Sequence, residues 1–178
     1  MDTLKRLNSD HRNITQLLEF LEAQLARVRQ LEPADFDLMR DVMRYMAHYP
    51  DRVHHPLEDL VIQKLIEHDP SAQKMAENIL HEHEDLARKS AAFLEMLTQI
   101  TEGERVPPEE IEATGRDYAA FLRAHMEKED ERLFPLAEKT LTAQDWHEIA
   151  KGRKQLADPV FGAVVQNQFR QLYERIQQ

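Results

Sequence analysis

The sequence predicts an all-α protein, an up-down-up-down four-helix bundle with an additional helical segment at its C-terminal end. Three observations predict this fold class. Apolar residues recur at alternating spacings of three and four along most of the chain, which is the period of helices that bury one face. Only four glycines occur in 178 residues, which favours helix over sheet. The clusters of proline and glycine are short and widely separated, as expected for long helices joined by short turns.

The first predicted helix has the clearest apolar stripe, and one member of this stripe is a histidine. The helix ends at Leu31-Glu32-Pro33, where the proline interrupts the pattern. The stripe consists of Leu4, Leu7, His11, Ile14, Leu18, Leu21, Leu25 and Val28.

The second predicted helix begins near Ala34 and ends at Asp69-Pro70-Ser71. Pro50 and Pro56 lie within it, so we expect a kink or a short break over residues 49–55, because proline lacks an amide hydrogen and crowds the preceding turn. Its apolar side carries Met39, Met43, Met46, Val53, Leu57, Val61 and Leu65.

The third predicted helix ends at the turn Glu102-Gly103-Glu104, and the fourth begins after Pro107-Pro108 and ends near Thr140. The third apolar stripe consists of Met75, Ile79, Leu86, Phe93, Leu97 and Ile100. The fourth consists of Ile111, Tyr118, Leu122, Leu133 and Leu136.

Residues 1–140 therefore form the predicted bundle domain, and residues 141–178 form a C-terminal extension. We expect a short helix around Trp146, followed by one longer amphipathic helix. That helix would present Phe161, Val165, Phe169, Leu172 and Ile176. The extension has two predicted roles, a lid on the bundle or a contact in a homodimer, and we favour the homodimer contact.

Composition excludes several classes of function. The net charge of −10 argues against nucleic acid or an anionic membrane as the main partner, because both require a basic surface. The absence of cysteine excludes disulfides, zinc ribbons and iron–sulfur clusters, and it leaves imidazole and carboxylate as the strong metal ligands. The sequence contains no apolar run typical of a signal peptide or a membrane span, so we expect a cytoplasmic location.

Polar residues interrupt the apolar stripe of each predicted helix. An unpaired buried charge costs several kcal/mol, so such residues require partners or a metal. Counting residues from each turn places the interruptions within about one helical turn of the same height in antiparallel helices. The interrupting residues are His11, His54, Glu58, His83, His125 and Glu129. One such residue or pair from each helix, at one height, predicts a metal site.

The pairs His54–Glu58 and His125–Glu129 share the spacing H-x-x-x-E, which places both side chains on one helix face. Each pair can give an imidazole to one metal and a carboxylate that bridges to a second. Nitrogen and oxygen ligands without sulfur favour iron, with manganese and zinc less favoured. The Glu-x-x-His spacing of ferritin-like centres does not occur in the sequence.

Four segments together resemble the hemerythrin-like (HHE cation-binding) proteins over roughly residues 1–140. They are Asp10-His11, residues 49–59 (YPDRVHHPLED), Glu82-His83-Glu84 and residues 125–135 (HMEKEDERLFP). The resemblance implies a bundle with a non-haem di-iron centre that meets dioxygen or related small molecules. It also implies terminal ligands at His11, His54, His83 and His125, and bridging ligands at Glu58 and Glu129.

The sequence departs from the family pattern at one histidine. Hemerythrin proper has five histidine ligands and an H-x-x-x-H pair on its third helix, whereas the residues four positions from His83 are Ile79 and Ala87. His55 is the first candidate for the fifth ligand because it lies beside the predicted kink. His81 is the second candidate, and a centre with only four histidines is the third alternative.

The predicted function is a di-iron protein that binds or senses oxygen, nitric oxide or peroxide. A classical enzyme is not expected, although redox activity on peroxide or nitric oxide would suit such a centre. The first alternative is an iron donor of the iron–sulfur cluster repair type. The second is a metal-free helical signalling bundle, such as a histidine phosphotransfer domain, which requires an exposed histidine.

Overall fold

The computed structural model describes residues 2–152 and 157–176, and every regular element in these ranges is helical. Four helical rods form the predicted bundle, and two of the rods are interrupted. The rods are α1 (Asp2–Arg29), α2 (Phe36–His48) with α3 (His55–His68), α4 (Gln73–Thr101), and α5 (Pro108–Lys128) with α6 (Phe134–Thr140). Two further helices follow, α7 (Ala143–Gly152) and α8 (Arg170–Ile176).

Two π-helical turns interrupt the second and fourth rods, at Pro50–His54 and Glu129–Leu133. Each lies just before a proline, Pro56 or Pro135. A proline ring crowds the carbonyl four residues earlier and cannot donate a hydrogen bond, and a wider turn accommodates both defects. The kink predicted over residues 49–55 is confirmed, whereas the turn at Glu129–Leu133 was not predicted.

The apolar core consists of two clusters with a polar layer between them. On α1, Leu7 belongs to one cluster, which we call the lower cluster, and Ile14 belongs to the other, the upper cluster. His11 lies between these two residues. On α4, Ile79 is in the lower cluster and Leu86 in the upper one. The same change from one cluster to the other occurs on every rod, at the height at which the sequence predicted a metal site.

The C-terminal extension packs on the bundle. Helix α7 contacts α3, and α8 contacts α2. Val160, Phe169 and Leu172 are buried in the upper cluster. In the single chain the extension therefore lies on the bundle, and its roles as a lid and as a homodimer contact both stay predictions. No helix in the described part of the chain is long and apolar enough to cross a membrane.

The prediction of one longer amphipathic helix in the extension is wrong. Phe161 and Val165 lie in non-helical chain, and the α-helix covers only Arg170–Ile176 after a 3₁₀ turn at Asn167–Phe169. The carboxylate of Asp158 accepts hydrogen bonds from the backbone N–H groups of Val160 and Phe161 in a tight turn, and this competes with helix formation.

Candidate metal centre

The polar layer contains seven buried side chains, and all four rods contribute to it. Each side chain belongs to a residue no more than 7% exposed to solvent. The seven are His11, His54, His55, Glu58, His83, His125 and Glu129. The structure thus brings together the six residues predicted from the apolar stripes, with His55 as a seventh member.

Three histidines face one another on one side of the layer, and we call His55, His83 and His125 the three-histidine group. The ring of His55 stacks on that of His83, with centroids 4.5 Å apart and planes 9° apart. The His125 ring centroid lies 4.9 Å from that of His83 and 5.7 Å from that of His55. One ligand atom from each of these residues and one from Glu58 lie within 4.8 Å of one another.

The other two histidines, His11 and His54, form the two-histidine group. Their ring centroids are 5.0 Å apart. One ligand atom from each, together with one from Glu58, again lies within 4.8 Å of the others. The His11 ring also stacks on Phe134 at 5.3 Å, so an apolar ring covers this side of the layer.

The two glutamates lie between the two groups. Glu58 Oε1 lies 3.2 Å from His54 Nε2 and 3.5 Å from His11 Nε2, and Oε2 lies 3.6 Å from His83 Nε2. Glu129 makes similar contacts at 3.2–3.4 Å, with His11, His83 and His125. Each carboxylate therefore contacts both groups, which is the arrangement expected of ligands that bridge two metal ions.

Each of the five histidines turns its other ring nitrogen, Nδ1, towards a carboxylate. An imidazole that donates its Nδ1 hydrogen outward presents the lone pair of Nε2 inward, and metal-binding histidines are usually oriented in this way. The pairs are His11–Asp130 at 2.9 Å, His54–Asp10 at 3.2 Å, His55–Asp51 at 3.5 Å, His83–Asp59 at 2.8 Å and His125–Glu82 at 3.0 Å.

Sequence reasoning missed these five outer carboxylates. A signal existed, because four of them are sequence neighbours of residues in the layer: Asp10 of His11, Asp59 of Glu58, Glu82 of His83 and Asp130 of Glu129. Each of these four acids pairs with a histidine of a different rod. Together they join the four rods in a closed ring around the layer.

Several inward-facing atoms of the layer have no hydrogen-bond partner among the described residues. They are Nε2 of His11 and His125, both carboxylate oxygens of Glu58, and Oε2 of Glu129. Buried polar atoms almost always have partners, so this cluster of unpaired nitrogen and oxygen atoms fits a bound cation.

The charges of the layer also favour a cation. Burial alone would lower the pKa of the imidazoles, but neighbouring carboxylates raise the pKa to about 12 for His11, about 9 for His54 and about 10 for His83. Burial alone would raise the pKa of Glu58, but His54 and His11 hold that pKa well below its usual range. The carboxylates are thus ionised at neutral pH, and positive charge is stabilised among them.

The two candidates for the fifth histidine differ in position. His55 is buried in the layer, and burial together with His83 and the other nearby histidines lowers its pKa well below 6.5, which keeps the imidazole neutral. His81 is exposed, and its Nδ1 donates to the backbone oxygen of Glu77 at 2.6 Å. Of the two, only His55 is placed to reach a metal in this layer.

Two surface clefts, of about 390 and 290 Å³, lie beside the two-histidine group. Both are lined by Asn8 and Asp130, and the larger is also lined by His11 and Thr15. The larger cleft therefore brings solvent next to His11, a residue of the polar layer.

A family model described as "Hemerythrin HHE cation binding domain" matches residues 2–137. The match includes all seven residues of the layer and ends before α7. No curated protein and no solved structure matches the chain.

Proposed function

The chain belongs to the hemerythrin HHE cation-binding family, and we propose that it is a non-haem di-iron protein that binds or senses oxygen, nitric oxide or peroxide. One observation carries the proposal. Five imidazole rings and two fully buried carboxylates converge in one layer, and several of their inward atoms lack hydrogen-bond partners among the described residues.

The donor atoms support iron. The layer offers nitrogen and oxygen ligands only, a set that suits iron and, less strongly, manganese or zinc. We assign one ion to the three-histidine group and the other to the two-histidine group, with Glu58 and Glu129 as bridges. His55 is the fifth histidine ligand in this assignment.

The difference in ligand number indicates where a small molecule binds. A pair of irons, when bound, supplies redox chemistry to a small ligand that reaches an open position. The two-histidine group contributes one imidazole fewer, and the larger of the two clefts lined by Asp130 reaches this side at His11. The apolar clusters above and below the layer keep bulk water away from the remaining faces.

We further propose that residues 1–140 form the metal-binding domain and that residues 141–178 form an extension of it. The cytoplasmic location and the homodimer stay predictions.

The experiment that tests the function combines metal analysis with spectroscopy. Protein loaded with ferrous iron should hold about two irons per chain and absorb in the near-ultraviolet after oxidation. Addition of oxygen, nitric oxide or hydrogen peroxide should change the spectrum, and a change that reverses on removal of the ligand indicates binding or sensing. A preparation that takes up no iron contradicts the proposal. Transfer of iron to an apo-protein acceptor without any spectral response to these ligands would favour the iron-donor alternative.

A further inference from the structure

Residues 157–176, which we call the strap, lie beyond the matched range 2–137 and cover part of the bundle. Three strap residues, Val160, Phe169 and Leu172, are buried in the upper apolar cluster. The strap also buries a carboxylate, Asp158, which is only 9% exposed. A buried carboxylate is costly, so its partners indicate what the strap holds in place.

The partner of Asp158 in the bundle is Tyr45 of α2. The Tyr45 hydroxyl donates to Asp158 Oδ2 at 2.8 Å, and Tyr45 is fully buried. Two strap rings, those of Phe161 and Phe169, pack nearly perpendicular to the Tyr45 ring at centroid distances of 6.0 and 6.1 Å. The strap therefore fixes this tyrosine at its hydroxyl and at its ring.

Tyr45 in turn contacts Tyr49, which lies next to the two-histidine group. The two tyrosine rings stack at 5.8 Å, and the Tyr49 hydroxyl lies 3.4 Å from both carboxylate oxygens of Asp10. Asp10 pairs with Nδ1 of His54 at 3.2 Å. The backbone oxygen of Tyr49 also accepts the N–H of His54 at 3.3 Å. Tyr49 thus contacts His54 by two routes, through the backbone and through Asp10.

We propose that the strap is a positioning device for the two-histidine group. Asp158 holds Tyr45, and Tyr45 holds Tyr49. Tyr49 then holds Asp10, the carboxylate that orients His54, together with Arg6 of α1, which donates to the Tyr49 hydroxyl at 3.0 Å and lies 4.0 Å from Asp10. Displacement of the strap would loosen His54 and speed metal release from this half of the centre. The effect on metal rests on the proposed function, whereas the effect on the His54 ring does not.

The contacts of the three-histidine group explain why faster metal release should be confined to the two-histidine group. The outer carboxylate of His55 is Asp51, which accepts a hydrogen bond from Ser90 of α4 at 2.6 Å. Asp59 and Glu82, which pair with His83 and His125, belong to the bundle rods. The contacts described for these carboxylates are with bundle residues other than Tyr45 and Tyr49, the two tyrosines that link the strap to the layer.

Zinc release from the full-length protein tests the proposal. Zinc occupies similar nitrogen and oxygen sites and is diamagnetic. In excess chelator, Asp158→Ala and Tyr45→Phe should each release one of two zinc ions about 10-fold faster than the wild type. Loss of a direct partner of a metal ligand weakens metal binding about 10–100-fold, and these two changes act on that partner from further away, so we expect the lower end of the range. The double variant should release zinc no faster than either single variant, because both changes break the same link. If Asp158→Ala does not fold, Tyr45→Phe alone tests the proposal.

Asp145→Ala is the matched control. Asp145 is also a buried acid of the extension, but it caps α7 through Thr142 and pairs with His68 at 3.1 Å, and among the described residues it contacts neither Tyr45 nor Tyr49. Its loss should leave zinc release unchanged. Equal release rates for the wild type, Asp158→Ala and Tyr45→Phe would overturn the proposal.

A second measurement does not depend on metal. In metal-free protein labelled with nitrogen-15 histidine, Tyr45→Phe should shift the ring resonances of His54 and leave those of His83 in place. If the wild type takes up neither zinc nor iron, the proposed function fails while this measurement still decides on the strap. Unshifted His54 resonances would overturn the strap proposal even if zinc binds.

Discussion

The two halves of the polar layer are built differently. The three-histidine group consists of rings packed against one another, and the rods α3, α4 and α5 hold it. The two-histidine group has one ring fewer, and two clefts approach it. One of its outer carboxylates, Asp130, is 45% exposed. The strap reaches the other, Asp10, through Tyr45 and Tyr49. In the proposed function, the three-histidine half therefore retains its metal and the two-histidine half gives access to a small ligand.

The largest expected effect comes from loss of a residue that both halves share. Glu58→Ala should abolish metal binding in both groups, because Glu58 contacts histidines of each. It should also lower the free energy of unfolding by about 3–5 kcal/mol, because buried imidazoles lose their charge partner. Metal analysis and denaturant unfolding measure the two effects.

Glu84→Ala, at an exposed glutamate next to His83, is the control and should leave both quantities unchanged. If Glu58→Ala retains a full complement of metal, Glu58 is not shared between the halves.

A substitution in the three-histidine group should remove the metal ion of that group and leave the ion of the two-histidine group in place. His55→Ala removes a buried ring of that group and should lower the metal content from about two ions per chain to about one. His81→Ala, at the exposed histidine, should keep both ions. Metal analysis of the two variants also decides the identity of the fifth histidine, and the reverse result would assign that ligand to His81.

Closing a cleft should affect only the accessible half. Thr15→Trp would fill part of the cleft of about 390 Å³ beside His11, so we expect slower reaction of the loaded protein with peroxide or nitric oxide at unchanged metal content. Stopped-flow spectroscopy measures the rate.

Thr98→Trp places the same ring in a cleft lined by Arg40 and Arg44, away from the layer, and it should react at the wild-type rate. Equal rates for the two variants would show that the ligand takes another route.

The smallest effect concerns the seam between α1 and α5 above the two-histidine group. Glu22 accepts two hydrogen bonds of 2.8 Å from Arg123, and these bonds, with help from Arg116, lower the pKa of Glu22 below 4.5 despite its partial burial. Solvent screening limits such a pair to about 0.2–1 kcal/mol. Arg123→Gln should therefore destabilise the protein slightly and leave its metal content unchanged.

The pH dependence of this effect has a definite sign. A carboxylate with a lowered folded-state pKa stabilises the fold above the unfolded-state pKa, and the contribution disappears as the pH falls through the folded-state pKa. Thermal unfolding should therefore separate the wild type from Arg123→Gln at neutral pH and not well below pH 4.5. A difference that persists in acid would mean that packing, not charge, causes it.

The sequence predicted the height of the layer because helical period and turn position determine which residues lie level in antiparallel helices. It could not choose between His55 and His81. Adjacent residues of a regular helix point about 100° apart, so periodicity alone does not place both His54 and His55 in the layer. The π-helical turn before Pro56 ends at His54, and α3 begins at His55, and both side chains are buried there.

The outer carboxylates and the strap depend on information that spacing does not contain. Asp130 pairs with His11, and Glu82 pairs with His125, each across two rods whose relative rotation only packing determines. The strap follows a turn formed by the side chain of Asp158, and the apolar spacing of Phe161 and Val165 gives no sign of that turn.

Anomalous diffraction at the iron edge, from crystals of the iron-loaded protein, tests the central claim most directly. If the two unequal halves share Glu58 and Glu129, the map should contain two anomalous peaks. One should lie among His55, His83 and His125, and the other between His11 and His54. A single peak, or a pair of peaks that does not touch both glutamates, would contradict the account.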